Sequence, residues 1–323
     1  MSPKQFSNLR QRDSFRNLLH RWYDSNRRDL PWRQTSNPYC IWLSEIMLQQ
    51  TRVGAVLDHY RRFLDRFPDV NSLARAREQS VLAAWSGLGY YRRARNLHAC
   101  AKVIALKRGG KFPSSATELQ ELPGIGRYTS AAIASIAFGQ PNAVVDGNVE
   151  RVLHRVTGNT ELSDRETWEL ADTLLTPKRP GDFNQAMMEL GATICLPKRP
   201  KCLVCPVMKH CVARGSQSRE KKEGRNMRNI AVAWSQSDKS VWLIQRPKNQ
   251  SLMPGMWEFP EVSQNGHKPL ANFKHSILDT DYQVSVFPAA EPAGNGRWVP
   301  KSRLPKMALT GLSRKILRHF DLL

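Results

Sequence analysis

Apolar and polar positions follow three rhythms along the chain. In "WLSEIMLQQT" (42–51) and "NAVVDGNVERVLHRV" (142–156) the apolar residues recur at helical spacing. In "ELPGIGRYTSAAIASIAFG" (121–139) one helix ends, a tight turn follows, and a second helix rich in small residues begins. Beyond residue 230 the pattern changes to short strand-like runs, "IAVAWS", "SVWLIQRP", "MWEFPEV" and "YQVSVF", closed by a helical tail near Leu312 to Phe320. Between these regions "RGSQSREKKEGRNMRN" (214–229) has no apolar period and reads as a linker. The pattern predicts an all-α domain over 1–213 and an α+β domain over 230–323.

One position breaks the first helix's pattern. Glu45 shares a helical side with Ile41 and Leu48. Burial penalises the charged carboxylate, so Glu45 must find a cation or hold a proton near neutral pH, as acid catalysts do. Asp146 stands just before its helix, where a carboxylate ordinarily caps free N–H groups. Gly124 and Gly126 are expected to supply backbone angles that other residues avoid, and the turn they make opens onto a helix N-terminus suited to a phosphate.

The chain has 323 residues, enough for two domains each with its own core. No apolar run approaches the roughly 20 residues of a membrane span. The formal charge of +21, from 49 Lys and Arg against 28 Asp and Glu, points to a polyanionic partner, nucleic acid first. Residues 1–13 lack the apolar segment of a secretory signal, so the cytoplasm is the expected location.

Four cysteines, Cys195, Cys202, Cys205 and Cys211, are spaced C-x6-C-x2-C-x5-C. In a reducing compartment one tight loop of four thiols suits a tetrahedral metal or an iron-sulfur cluster. Zinc sites generally use two separated close pairs, and the wide gaps here favour iron-sulfur. Lys198, Arg199, Lys201 and Lys209 make the same loop basic. Cys40 and Cys100 read as small buried hydrophobes.

The LPGIG turn, the aspartate some twenty residues on and the cysteine spacing together resemble the helix-hairpin-helix DNA glycosylase superfamily, in its iron-sulfur branch. "RRDLPWR" (27–33), "WLSEIMLQQTRV" (42–53), "GLGYYRRARNLH" (87–98) and "VVDGNVERV" (144–152) resemble MutY-type adenine DNA glycosylases, with the match running from about Phe15 to Cys211. The resemblance implies a fold: a helix-hairpin-helix domain with a 4Fe-4S cluster loop at 195–211, then a Nudix-like domain. It also implies an activity, hydrolysis of the glycosidic bond of adenine opposite 8-oxoguanine or G in double-stranded DNA, by a monomer with no membrane partner.

Residue roles follow from the same resemblance. Glu45 would be the general acid, Asp146 the carboxylate facing the sugar cation, and Asn148 a residue orienting groups about that centre. Where the endonuclease III branch has a Schiff-base lysine this chain has Tyr128, which implies a monofunctional enzyme. Trp32, Arg33, Leu48 and Gln185 match the adenine pocket; Gln49, Gln50, Thr51, Leu88 and Tyr90 match the wedge and the contact with the opposite base. "RPKNQSLMPGMWEFPEV" resembles the Nudix-like domain, but no acidic residue occurs from Val262 to Leu278, so phosphohydrolase chemistry is not expected there. Family members often carry Phe-Ser-His in a lesion-probing loop. Here "FKHSILDTDY" places Ile277, Leu278 and Asp279 at those positions without a gap, with His275 as a possible substitute. Two rival classes are a bifunctional pyrimidine glycosylase and lyase, disfavoured by Tyr128, and a non-catalytic iron-sulfur DNA binder, disfavoured by the pairing of Glu45 with Asp146.

Overall fold

The computed structural model describes Phe6 and residues 8–214, 224–263 and 268–323. The chain folds as two compact units: Met1–Ala74 with Ala99–Glu220, and Arg75–His98 with Lys221–Leu323. The second unit therefore recruits a piece of the helical region, besides the C-terminal third.

In the first unit, α1 (Leu9–Asn26) and α2 (Pro38–Leu48) are capped by the side chains of Asn8 and Asn37, which accept from Arg10 N and Tyr39 N. From Tyr39 to Met47 every described residue of α2 is buried except Cys40, so this helix runs through the interior rather than along its edge. It packs against α3 (Val53–Arg66) and against α8 (Arg127–Phe138), which follows the short α7 (Ala116–Gln120). Two further helices, α9 (Gly147–Thr157) and α10 (Asp164–Leu174), lead into α11 (Pro180–Thr193), which contacts α1, α8 and α9. Phe15, Leu19, Tyr23, Val152, Leu153, Phe183 and Leu190 are among the residues that close this core.

The approach of α11 to α9 is very tight. A Cβ built on Gly191 would fall 2.5 Å from Asn148 Cβ and 2.9 Å from its carbonyl oxygen, so only glycine lets the helices meet here. The hairpin behaves differently from its sequence-based expectation at one of its two glycines. Gly124 has φ 75°, the left-handed region. Gly126, however, caps α8 with φ −93° and ψ −177°, angles open to any residue, and a Cβ there would meet nothing within 4 Å. What Gly126 provides is open space at the helix N-terminus rather than a special backbone angle.

In the second unit, α5 (Glu78–Trp85) and the start of α6 (Tyr91–Lys107) join two sheets. α4 (Val70–Arg75) ends at its boundary. One sheet has the order β4-β1-β6-β5, from β1 (Asn226–Trp234), β4 (Glu261–Val262), β5 (Ala271–Ile277) and β6 (Thr280–Pro288). β1 and β6 run parallel over nine residues, Asn226 opposite Thr280 through Trp234 opposite Pro288. The other sheet, β3-β2-β7, uses β2 (Ser240–Gln245), β3 (Trp257–Glu258) and β7 (Gly296–Pro300). α12 (Gly311–His319) packs Ile316 and Leu317 into the core with Val241, Leu243 and Val286.

Two local expectations are corrected. The segment read as one strand, "MWEFPEV", is two two-residue strands in different sheets, because Phe259 and Pro260 part them. The linker expected over 214–229 lies outside the described residues from 215 to 223, and its last residues, Asn226–Asn229, already pair in β1.

Candidate active site

Glu45 is 6% exposed on α2, and Tyr128, in the first turn of α8, donates its phenol hydrogen to Oε2 at 2.7 Å. The same phenol oxygen is 3.2 Å from Met188 Sδ of α11, so three helices meet at this carboxyl. Burial pushes the Glu45 carboxyl up to about 7; the Tyr128 hydrogen bond opposes this, the charge of Asp146 adds to it, and Arg33 opposes it. Unlike an ordinary glutamate, this carboxyl therefore still holds its proton in a substantial share of molecules near neutral pH. Burial, and then the neighbouring carboxylates, hold the Tyr128 phenol well above its ordinary range, so it remains a donor.

Asp146 caps α9. Its Oδ1 accepts from Asn148 N (3.0 Å) and Val149 N (2.8 Å), and its Oδ2 accepts from Asn148 Nδ2 (3.0 Å). The capping bonds fix the direction of the carboxylate, and capping is compatible with a chemical role for it. Asn148 is held in turn: its Oδ1 accepts from Arg151 Nη2 at 2.8 Å, and Arg151 also donates to Gly191 O (2.8 Å) and to Cys195 O (2.9 Å). A continuous chain of bonds therefore runs from Asp146 to the first cysteine of the loop.

A second charged group lies on α11. Glu189, 1% exposed, accepts from Arg28 Nε and Nη2 and from Arg33 Nη2, each at 2.7 Å. Burial alone would raise its pKa, but the two guanidiniums outweigh it and hold the carboxyl at about 2. Arg33, matched by sequence to the adenine pocket, is thus also a partner of Glu189, and it stacks over Tyr23. Trp32 is buried edge-to-face on Tyr60 at 5.2 Å. Leu48 and Gln185 are half-buried, Gln185 one turn before Met188 and Glu189 on α11. After α2 ends, Gln49 Nε2 donates to Thr129 Oγ1 at 3.3 Å, Gln50 adopts φ 55°, and Thr51 N donates to Leu48 O at 3.1 Å.

Leu88, Tyr90 and His275 belong to the second unit. Leu88 is buried at 5% exposure, whereas Tyr90 is 42% exposed with φ 46°. His275 shares a face of β5 with Phe273 and Ile277, opposite the exposed Asn272, Lys274 and Ser276. Its ring lies 3.5 Å from where a Cβ on Gly311 would stand, and burial, then Lys315, lower its pKa. It packs against α12 as an ordinary strand histidine does. Leu278 and Asp279 form the exposed turn between β5 and β6, and Asn226 Nδ2 donates to Asp279 Oδ2 at 3.3 Å.

Cys195, Cys202, Cys205 and Cys211 line one cavity with Val152, Val156, Leu190 and Ile194. Arg155 holds the loop, donating to Leu196 O (2.7 Å), Pro197 O (2.8 Å) and Cys195 Sγ (3.3 Å). Burial first, and then the neighbouring Cys195, Cys211 and Cys202, push the Cys205 thiol up to about 11 against the opposing hydrogen bond from the Val207 backbone. As the side chains stand, no group of three or more His, Cys, Asp or Glu among the described residues could hold a metal ion. The donor set itself, four soft sulfurs in an apolar cavity, suits an iron-sulfur group chemically.

Sequence reasoning missed Glu189, Arg28, Arg151 and Gly191. The signal for Glu189 was the same one that exposed Glu45, a carboxylate within an apolar stretch, "FNQAMMELG". Residues 43–177 match the model of the HhH-GPD superfamily base excision DNA repair proteins. An adenine DNA glycosylase of Mus musculus is 39% identical, with 98% of this chain and 79% of that protein aligned. One of Homo sapiens is 47% identical over 65% of this chain and 41% of its own length. Among solved structures, a thermostable thymine-DNA glycosylase matches with TM-score 0.59 and 33% identity, covering 62% of this chain and 95% of that one.

Proposed function

The chain belongs to the adenine DNA glycosylases, hydrolases of N-glycosyl bonds in base excision repair, and from that premise we propose that it removes adenine opposite 8-oxoguanine or G as a monofunctional, base-flipping enzyme. The observation that carries this reading is the Glu45 carboxyl, buried and pushed up to about 7. Adenine leaves the sugar only as a better leaving group, and a carboxylic acid still protonated at neutral pH can deliver a proton to its ring nitrogen N7. Because Oε2 accepts from Tyr128, the acid's own proton belongs on Oε1, the oxygen left for the base.

As the bond breaks, positive charge develops on the deoxyribose. Asp146 faces it as a carboxylate held by three N–H groups, before water completes the hydrolysis. Asn148 and Arg151 keep that carboxylate directed. Adenine must first be flipped from the duplex, at a cost of roughly a few kcal/mol, with Gln49, Gln50 and Tyr90 filling the space it leaves. Gly124 and Gly126 would seat a backbone phosphate at the open N-terminus of α8. Trp32, Arg33, Leu48 and Gln185 would line the base pocket, and Leu88 and Thr51 would stand near the opposite base.

Cys195, Cys202, Cys205 and Cys211 would hold a 4Fe-4S cluster, which supplies a covalent tie between four points of one loop. That tie would present Lys198, Arg199 and Lys201 to phosphates. The C-terminal third, Nudix-like but without an acidic helix, would read the opposite base, because Glu45 and Asp146 cannot distinguish a mispaired adenine from a correct one. His275, packed inward on α12, is not needed for that reading.

The test is single-turnover base release from duplexes with A opposite 8-oxoguanine, G, C or T, with and without alkali. Release should favour 8-oxoguanine and G, and strand scission should require alkali. Trapping of a robust enzyme–DNA adduct by borohydride would replace this reading with that of a lyase.

A further inference from the structure

The turn between α5 and α6 has a costly backbone. Of its five residues, Ser86 to Tyr90, Gly87, Gly89 and Tyr90 have φ of 109°, 69° and 46°. Tyrosine in the left-handed region is uncommon, and such residues persist only where their surroundings over-determine them. Part of that determination is local. Trp85 Nε1 donates to Gly89 O at 3.0 Å, Arg93 Nη2 donates to Leu88 O at 3.1 Å, and the Arg93 guanidinium lies over the Trp85 and Tyr90 rings at 5.4 and 5.3 Å.

The rest comes from the far end of the chain. Ser86 enters the turn and Tyr91 leaves it, and their hydroxyls both donate to one buried acceptor, Leu309 O, at 3.1 and 3.3 Å. The two hydroxyl oxygens are 3.2 Å apart. Arg314, in the first turn of α12, donates from Nε to Ser86 Oγ at 2.5 Å. One carbonyl thus ties both ends of the turn, alongside the bond that the Tyr91 hydroxyl accepts from the Gly87 backbone. That carbonyl is itself fixed: Trp257 N donates to Ala308 O (2.9 Å), Thr310 N donates to Trp257 O (3.0 Å), and Thr310 caps α12. Flanking ties repeat the pattern, since Gln79 donates to Gly255 O and Arg95 to Pro254 O.

We propose that Leu309 O and Arg314 are positioning elements for Tyr90. The C-terminal third governs extrusion of the adenine by setting the α5–α6 turn, in addition to any contact it makes with the opposite base. The inference rests on Tyr90 entering the duplex, as argued above. If the contacts were only adhesive, losing them would lower stability and leave the extruded population unchanged. If they set the turn, losing them must act through Tyr90.

The experiment uses the full-length protein in a Glu45→Gln background, with 2-aminopurine at the target position opposite 8-oxoguanine, so that fluorescence reads extrusion without cleavage. Arg314→Met and, separately, Tyr91→Phe should each lower the extruded-to-stacked ratio by roughly five-fold, the size of an ordinary net hydrogen bond. Amide hydrogen exchange in 87–91 should accelerate in both. In a Tyr90→Ala background the same substitutions should change the ratio little, because the residue they position is gone. Equal effects with and without Tyr90 would overturn the proposal, as would normal extrusion in both variants. If Tyr90→Ala alone leaves extrusion unaltered, the wedge reading fails first and takes this inference with it. Should Arg314→Met not fold, Tyr91→Phe, which removes one hydroxyl, decides alone.

Discussion

Glu45 couples stability to pH through one proton, and in the proposed mechanism it couples catalysis to pH through the same proton. Its carboxyl is raised from 4.5 to about 7 in the fold, so between those values the native state binds more protons than the unfolded chain. Stability therefore falls as pH rises through that window, by on the order of 3 kcal/mol at most for this group. Glu45→Gln should be more stable than the parent at about pH 8 and no more stable at about pH 4, measured by urea denaturation. Base release in that variant should be lost while duplex binding persists, and Asp146→Asn should be similarly impaired; near-parental single-turnover rates would refute those roles. Tyr128→Phe tests the hydrogen bond. The phenol lowers the Glu45 pKa, so its loss should move the alkaline limb of the pH–rate profile to higher pH, and an unmoved or lowered limb would contradict the geometry. Much of this was legible at the residue scale, since one carboxylate among apolar neighbours at helical spacing announces an anomaly. The identity of its hydrogen-bond partner was not, because Tyr128 lies 83 positions away on another helix.

At the scale of elements, the site depends on how α9 meets α11. Gly191 leaves no room for a methyl group beside Asn148, and Arg151 ties both helices to Cys195 O. Gly191→Ala should push Asn148 away and slow single-turnover base release by roughly ten-fold or more, since overpacking costs about 1–3 kcal/mol. Binding of product duplex should change far less. Arg151→Met should likewise act on the rate before affinity; equal losses in both would show that the helix pair serves DNA binding instead. Glu189→Ala leaves two guanidiniums facing a vacated site, one of them Arg33 with 9% side-chain exposure, and should destabilise by about 3–5 kcal/mol in thermal or denaturant unfolding. Helical spacing revealed α9, and the LPGIG turn revealed the junction that precedes α8, but α11 was not read from the sequence. The mutual approach of α9 and α11 has no local signature beyond one glycine, which is why Gly191 and Arg151 escaped notice.

For the whole molecule, the cysteine loop and the C-terminal third are the parts whose loss should spread furthest. Purified protein should contain iron and sulfide in the proportion of one four-iron cluster, and zinc in their place would identify a different site. Cys202→Ser should impair folding or DNA affinity, and because Arg155 and Arg151 both hold the loop's backbone, base release should suffer as well. The second unit's composition warns against cutting the chain at residue 230, since 75–98 would lose its partner. Substitutions at Arg314 or Tyr91 interrogate that unit more cleanly.

By itself the sequence determined the helix around Glu45, the two helices of the LPGIG hairpin, the helix capped by Asp146, the anomalous Glu45, the four-thiol loop and the change from helix to strand near residue 230, because each depends on near neighbours or on regular spacing. Strands β5 and β7 escaped it, their alternation being weak beside exposed polar residues. Only tertiary structure decided that Tyr128 would donate to Glu45, that Arg28 and Arg33 would neutralise Glu189, and that the α5–α6 turn would be gathered onto Leu309 O. These are bonds between residues 83 to 223 positions apart, each satisfying a buried polar group that local spacing leaves open, and only the packing of the whole fold selects their partners.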